Sequence, residues 1–252
     1  MSLVFGLSLS NMGMLLSDTQ LNFSLKDGAE VVDESEPFQI SLGGIGNVAW
    51  GRDFRKLVQL PIGYVAATGD AILSRKALDR LAASEQSSLE KSRSIIKETA
   101  KEIRNPLFQQ LPGSAERYDR TTFLFLLPGP DKVELSVISS LGEIESTGQE
   151  YCASWPPDLK SGEAESLMQG LSQLVVPTSL LEACENIAVL AHLAALVHQR
   201  SGKVGSRMEL GMCIVDNGTA HQWYLTGVSS VLASMSSPDI LAQMSQRVAV
   251  RY

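Results

Sequence analysis

Three residues carry the clearest chemical potential in this chain: Ser2, Asp18 and Lys56. Removal of Met1 would leave Ser2 with its own α-amine beside its hydroxyl. Such an amine titrates near pH ~8 and can act as general base for that hydroxyl. Serine is a common second residue, so position alone carries little weight. Asp18 closes an apolar run, and Lys56 sits within Phe54-Arg55-Lys56-Leu57-Val58-Gln59-Leu60. Strand alternation would put Phe54, Lys56 and Val58 on one face. A lysine there is either a snorkelling edge residue or a cation turned inward to tune a nucleophile.

The elements that must position these residues are readable along the chain. Leu3–Leu9 and Met12–Leu16 are apolar runs split by Ser10-Asn11, which predicts a β-hairpin covered on both faces. A polar stretch, Ser24–Pro37, precedes a Gly-rich one, Ser41–Gly51, read as an extended or mobile hairpin. Its Gly43-Gly44-Ile45-Gly46 lacks the Gly-Lys-Ser/Thr ending of a phosphate loop, and no helical pattern follows. Phe54–Leu60 and Gly63–Thr68 pair as strands, and a helix follows Asp70 with Ile72, Leu73, Ala77, Leu78 and Leu81 on one face. The Leu73–Leu81 helix carries enough apolar positions to serve two interfaces. A second helix covers Ser88–Phe108, with a kink or end at Asn105-Pro106.

Leu111–Arg120 reads as a loop. Thr121–Leu127 and Lys132–Ser139 form a hairpin, and a short strand lies near Glu143–Ser146. Helices are expected over Glu163–Leu174 and Thr178–Gln199. Glu209–Asp216 and Ala220–Leu225 form a hairpin turned by Asn217-Gly218, the strongest local turn signal present. A last helix is expected near Ile240–Val248. Strands, two helices, strands, two helices, strands, with no linker and no repeat, describe one α+β domain over residues 1–252.

Composition excludes several classes. With 44% apolar and 19% charged residues, the 252-residue chain can bury a sizeable core. A net charge of −7 and no basic run argue against nucleic acid as a partner. Cys152, Cys184 and Cys213 are odd in number and widely spaced, and only His192, His198 and His221 accompany them, which suggests neither a disulfide framework nor a metal site. Leu180–Val197 contains Glu182, Glu185, Asn186 and His192, so it reads as a core helix and not a membrane span. The N-terminus lacks a basic n-region, and a cytoplasmic location is expected.

Leu3–Asp18, Phe54-Arg55-Lys56-Leu57, and Tyr64-Val65-Ala66-Ala67-Thr68-Gly69-Asp70 leading into a helix resemble the proteasome-type N-terminal nucleophile (Ntn) hydrolases. That family includes proteasome β-subunits and the HslV-type and Anbu-type ring proteases. Its pattern is a nucleophile at the mature N-terminus, an Asp sixteen residues later and a Lys on the following strand; Ser2 to Asp18 is sixteen residues. The element order also matches the family's four-layer αββα sandwich of two antiparallel sheets over nearly the whole chain.

The resemblance implies a set of roles. Ser2 is the nucleophile, its amine the base, Lys56 the cation that lowers the proton affinity of that centre, and Asp18 the group that orients Lys56. The N–H of Gly69 serves as oxyanion donor. Asn22 and Gly69 hold substrate backbone as an added strand, and Phe54, Ala67 and Ala71 line an apolar first specificity pocket. Ser201, in His198-Gln199-Arg200-Ser201-Gly202, matches the family's Asp-x-x-Ser-Gly, with His198 in place of the Asp; Ser154 stands for a further serine. Two other departures are a Ser nucleophile where proteasomal β-subunits use Thr, and a longer stretch between Asp18 and Lys56.

The implied function is peptide-bond hydrolysis on peptide or unfolded-protein substrates inside a homo-oligomeric ring, with no cofactor and with an ATPase unfoldase that the sequence does not identify. A small-molecule amidase on the same fold is the alternative, as is a catalytically silent ring or scaffold subunit if Met1 is retained.

Overall fold

In the computed structural model, the structure describes residues 3–19, 23–24, 29–30, 38–42, 46–50, 55–84, 88–110, 115–154, 156, 159, 162–163, 169–171, 174–201 and 204–251. Ser2, Asn22 and Phe54 lie outside them.

The apolar run at the N-terminus forms β1 (Val4–Leu9) and β2 (Met12–Asp18), joined where Ser10 adopts a positive φ of 55°. Two short hairpins follow, β3 (Phe23–Ser24) with β4 (Ala29–Glu30), and β5 (Phe38–Leu42) with β6 (Gly46–Trp50). Next come β7 (Leu57–Gln59), β8 (Tyr64–Thr68), α1 (Ala71–Ala83), α2 (Leu89–Gln110) and α3 (Ala115–Asp119). The chain continues through β9 (Thr122–Pro128), β10 (Val133–Ser139), β11 (Ile144–Thr147) and β12 (Tyr151–Ser154). The long helix α4 (Leu180–Arg200) leads to β13 (Arg207–Asp216), β14 (Thr219–Val228), α5 (Ser229–Leu232), α6 (Ser237–Gln243) and β15 (Ser245–Arg251).

These strands build two main antiparallel sheets. One has the order β12-β1-β2-β13-β14-β15 and the other β11-β10-β9-β8-β7. Three apolar layers separate the elements. Val4, Leu15, Tyr64, Leu124, Leu135 and Cys213 fill the space between the sheets. Phe5, Met14, Leu16, Ile187, Ala191 and Leu210 pack the first sheet against α4. Val65, Ile72, Leu78, Ile96, Ile103 and Phe123 pack the second against α1 and α2. The result is the expected αββα sandwich. Continuous apolarity in β1 and β2 follows from their covering on both faces, since successive side chains feed opposite layers.

Several expectations are corrected. All five apolar residues of the α1 stripe (Ile72, Leu73, Ala77, Leu78, Leu81) are buried in the chain's own core, leaving no spare apolar face for a second interface. Helix α2 does not end at Asn105-Pro106 but runs through Pro106 to Gln110, held by Ile103 and Leu107, each 1% exposed or less. The loop expected over Leu111–Arg120 contains α3, whose Tyr118 is buried. The final helix stops at Gln243, and the remainder forms β15 because β14 offers it an open edge. Of the helix expected over Glu163–Leu174, residues 164–168, 172 and 173 lie outside the described residues.

Candidate active site

Asp18 ends β2, and its carboxylate organises the site. Oδ1 accepts the backbone N–H of Leu3 at 2.8 Å and the Lys56 ammonium at 3.0 Å. Oδ2 accepts Lys56 Nζ at 3.0 Å and the N–H of Gly205 at 3.3 Å. Four hydrogen bonds from three donor groups occupy both oxygens of the carboxylate. The backbone answers as well, since Asp18 N–H donates to the Leu3 carbonyl at 3.1 Å. Asp18 is 1% exposed and Lys56 2%. A buried ion pair survives only with such complete partnering, because the desolvation of each ion costs several kcal/mol.

Lys56 therefore points inward, away from water. Strand alternation is not the reason: β7 begins one residue later, at Leu57. Its carbonyl still accepts the N–H of Ala67 at 3.2 Å, which ties the lysine's backbone to β8. Two residues beyond Ala67 is Gly69, with φ of +116°, a region open to glycine. A Cβ on Gly69 would lie 2.5 Å from the Cα of Thr121. Asp70 then caps α1, accepting the N–H groups of Ile72 at 3.0 Å and Leu73 at 2.9 Å. Burial pushes the Asp70 carboxyl up, opposed by those two N–H groups and by Arg117.

Ser154 joins the same group of elements. It pairs with Val4 across β12 and β1, and its Oγ lies 3.2 Å from Thr68 Oγ1, beside Gly69. Ser201 is 1% exposed at the end of α4, its N–H donating to the Val197 carbonyl at 2.8 Å. The contact to Asp18 comes from Gly205, four residues on. His198 is exposed, and its Nδ1 lies 2.7 Å from the Val204 carbonyl, next to Gly205. The imidazole thus fastens the loop that reaches Asp18 and does not itself touch the carboxylate. Ala67, expected in a specificity pocket, is 2% exposed and packed in the layer beneath α1; Ala71 is partly buried against the same layer. In this structure Ala67 is a core residue, since its small side chain lets α1 approach the sheet.

The structure thus gathers Leu3, Asp18, Lys56, the Thr68–Gly69 turn, Ser154 and Gly205. Sequence reasoning missed Thr68, Gly205 and a buried carboxylate, Glu209. A lone acidic residue within the apolar run of β13 was a readable signal for Glu209; Gly205 gave none.

The layering defines the fold. The chain has the proteasome-type Ntn-hydrolase fold. Anbu from Hyphomicrobium sp. strain MC1, in the structure of its Gly-1 mutant, superimposes with a TM-score of 0.53 at 9% identity, over 100% of this chain and 87% of that chain. BPH of Thiobacillus denitrificans, in complex with epoxomicin, gives a TM-score of 0.47 at 12% identity, over 85% of this chain and 99% of that one. No protein-family model and no curated protein matches the sequence.

Proposed function

We propose that this protein is an N-terminal serine hydrolase that cleaves peptide bonds within a homo-oligomeric ring. One observation carries the reading: the Asp18 carboxylate holds the buried Lys56 ammonium and the Leu3 N–H at once. Leu3 is the neighbour of Ser2 in the chain. In this reading a serine released from Met1 is activated by the Lys56 cation that shares the Asp18 carboxylate with Leu3.

In this reading the Ser2 α-amine takes the hydroxyl proton as Oγ attacks the scissile carbonyl. Lys56 stabilises the developing negative charge around Oγ, and the Gly69 N–H faces the oxyanion. The amine then passes its proton to the leaving amine, and water releases the acyl group by the same route. The compact lysine ammonium suits a buried point-charge role that a planar guanidinium does not. Self-association would draw on exposed apolar side chains such as Val175, Val176, Leu181 and Val231.

Mass spectrometry of the mature chain comes first, and loss of Met1 is expected. Ser2→Ala should then abolish fluorogenic-peptide hydrolysis and labelling by electrophiles that trap N-terminal nucleophiles, with assembly unchanged by light scattering. Undiminished turnover in that variant, or a retained Met1, ends the hydrolase reading. A chain that stays monomeric at micromolar concentration ends the ring.

A further inference from the structure

Glu209 is 3% exposed on β13, on the face that also carries Gly211, Cys213 and Val215 toward the second sheet. A carboxylate in so apolar a layer is costly unless its oxygens are satisfied. Two donors are in place: Tyr224 Oη donates to Oε1 at 2.7 Å, and the Leu57 N–H donates to Oε2 at 3.3 Å. Burial pushes this carboxyl above the usual range, while Tyr224, Leu57, Arg55 and the Lys56 N–H pull it back. Apart from Tyr224, every one of these partners belongs to residues 55–57, where β7 begins.

That segment needs an anchor. β7 has three residues and, among the described residues, is the edge of its sheet and pairs only with β8. One strand cannot fix both sides of its backbone. Glu209 crosses from the opposite sheet and supplies an acceptor to the Leu57 N–H, on a strand with no second neighbour among the described residues. Asp18 restrains only the tip of the lysine side chain, a flexible four-carbon stem whose root is placed by that backbone.

We propose that Glu209 is a positioning residue for the hydrolase: it holds the Lys56–Leu57 backbone so that the Lys56 ammonium stays seated on Asp18 beside the nucleophile. The inference rests on the function proposed above and adds to it a residue outside the family pattern. Its action is through reach and acceptor geometry, not through charge. Glu209→Gln keeps the reach, an acceptor for the backbone N–H groups and a donor for the Tyr224 oxygen. Glu209→Asp keeps the charge and loses the reach, because one methylene fewer cannot span from β13 to both Tyr224 and Leu57.

The test compares these two variants by peptide turnover and by hydrogen exchange of a peptide covering residues 55–60. E209D should lose about 100-fold in kcat, the scale expected for a misplaced catalytic group, with KM within about twofold of wild type. E209Q should keep at least about a third of wild-type kcat. Residues 55–60 should exchange about tenfold faster in E209D than in E209Q, with β14 peptides unchanged. The reverse order, equal impairment of both variants, or wild-type behaviour of both overturns the inference. If wild type shows neither turnover nor Ser2 labelling, the hydrolase reading fails separately, and the exchange ranking alone then supports or overturns the hold of Glu209 on β7.

Discussion

The two ends of β13 sit in the same sheet and are built on opposite principles. At residues 208 and 209 the strand pairs with Asp18 and Ser17, and the charged groups there are out of water. Asp18, Lys56 and Glu209 each have named partners at hydrogen-bond distance. At residues 214–216 the strand runs beside an open cavity of about 480 Å3, whose lining includes Asn11, Pro177, Leu180, Asp216, His221 and Trp223. Asp216 is exposed there, and among the described residues its carboxylate accepts only the neighbouring Asn217 side-chain amide, at 2.9 Å. Charge is costly to bury and cheap to leave wet. A chain that buries three ionisable groups at one end and hydrates those at the other marks the first end as the place where fixed geometry is needed.

The largest break in that contrast is Lys56→Met. It leaves the Asp18 carboxylate buried without its counter-ion and should cost about 3–5 kcal/mol in urea unfolding, with turnover lost. Adding Asp18→Asn removes the stranded charge and keeps one amide oxygen, which can accept the N–H of Leu3 or of Gly205 but not both. The double variant should recover more than half of the stability and none of the activity. Gly69→Ala comes next. Its φ of +116° and the Thr121 Cα at 2.5 Å from any added Cβ should cost about 1–3 kcal/mol in backbone strain, with activity falling further than stability.

Glu209 sharpens the comparison through pH. Its carboxyl is raised in the folded protein by burial, so the folded state binds that proton more tightly than the unfolded chain does. Wild-type stability therefore falls as pH rises from the ordinary glutamate range through the raised native value, and the deficit persists above it. Glu209→Gln has no such proton to lose. The difference in urea midpoint should shift in favour of E209Q across that window and stay flat at higher pH. At the hydrated end the effect should be the smallest: Asp216→Ala is expected to change unfolding free energy by less than about 0.5 kcal/mol. A loss comparable with that of Lys56→Met would erase the distinction between the two ends.

Local signals were legible where neighbouring residues decide the structure. Asn217-Gly218 takes φ values of 48° and 70°, the positive angles its hairpin needs, and turns the expected hairpin, whose strands run longer than Glu209–Asp216 and Ala220–Leu225. The stripe Ile72–Leu81 and the capping Asp70 specified α1 without help from the rest of the chain. Pro106 misled because the missing N–H and the ring of a proline are unfavourable in an isolated helix, whereas the packing of Ile103 and Leu107 outweighs them here. Residues 245–248 misled for a related reason. Their pattern is compatible with a helix, and only the free edge of β14 makes a strand of them.

The site divides in the same way. Asp18 and Lys56 were each visible as a polar residue beside or within an apolar run, and their pairing was implied by the family resemblance, not by their spacing. That Lys56 turns inward was not visible, since β7 starts after it and no periodicity governs its direction. That decision belongs to the Asp18 carboxylate, 38 positions away in sequence and 3.0 Å away in space. Gly205 and Glu209 reach the same few ångströms from 187 residues beyond Asp18 and 152 beyond Leu57. The sequence by itself determined the apolar layers, the turns and the residue types able to carry charge. Only the tertiary structure decided which charges meet, because a buried ion is stable solely where distant backbone and side-chain donors converge on it, and convergence is a property of the closed sandwich.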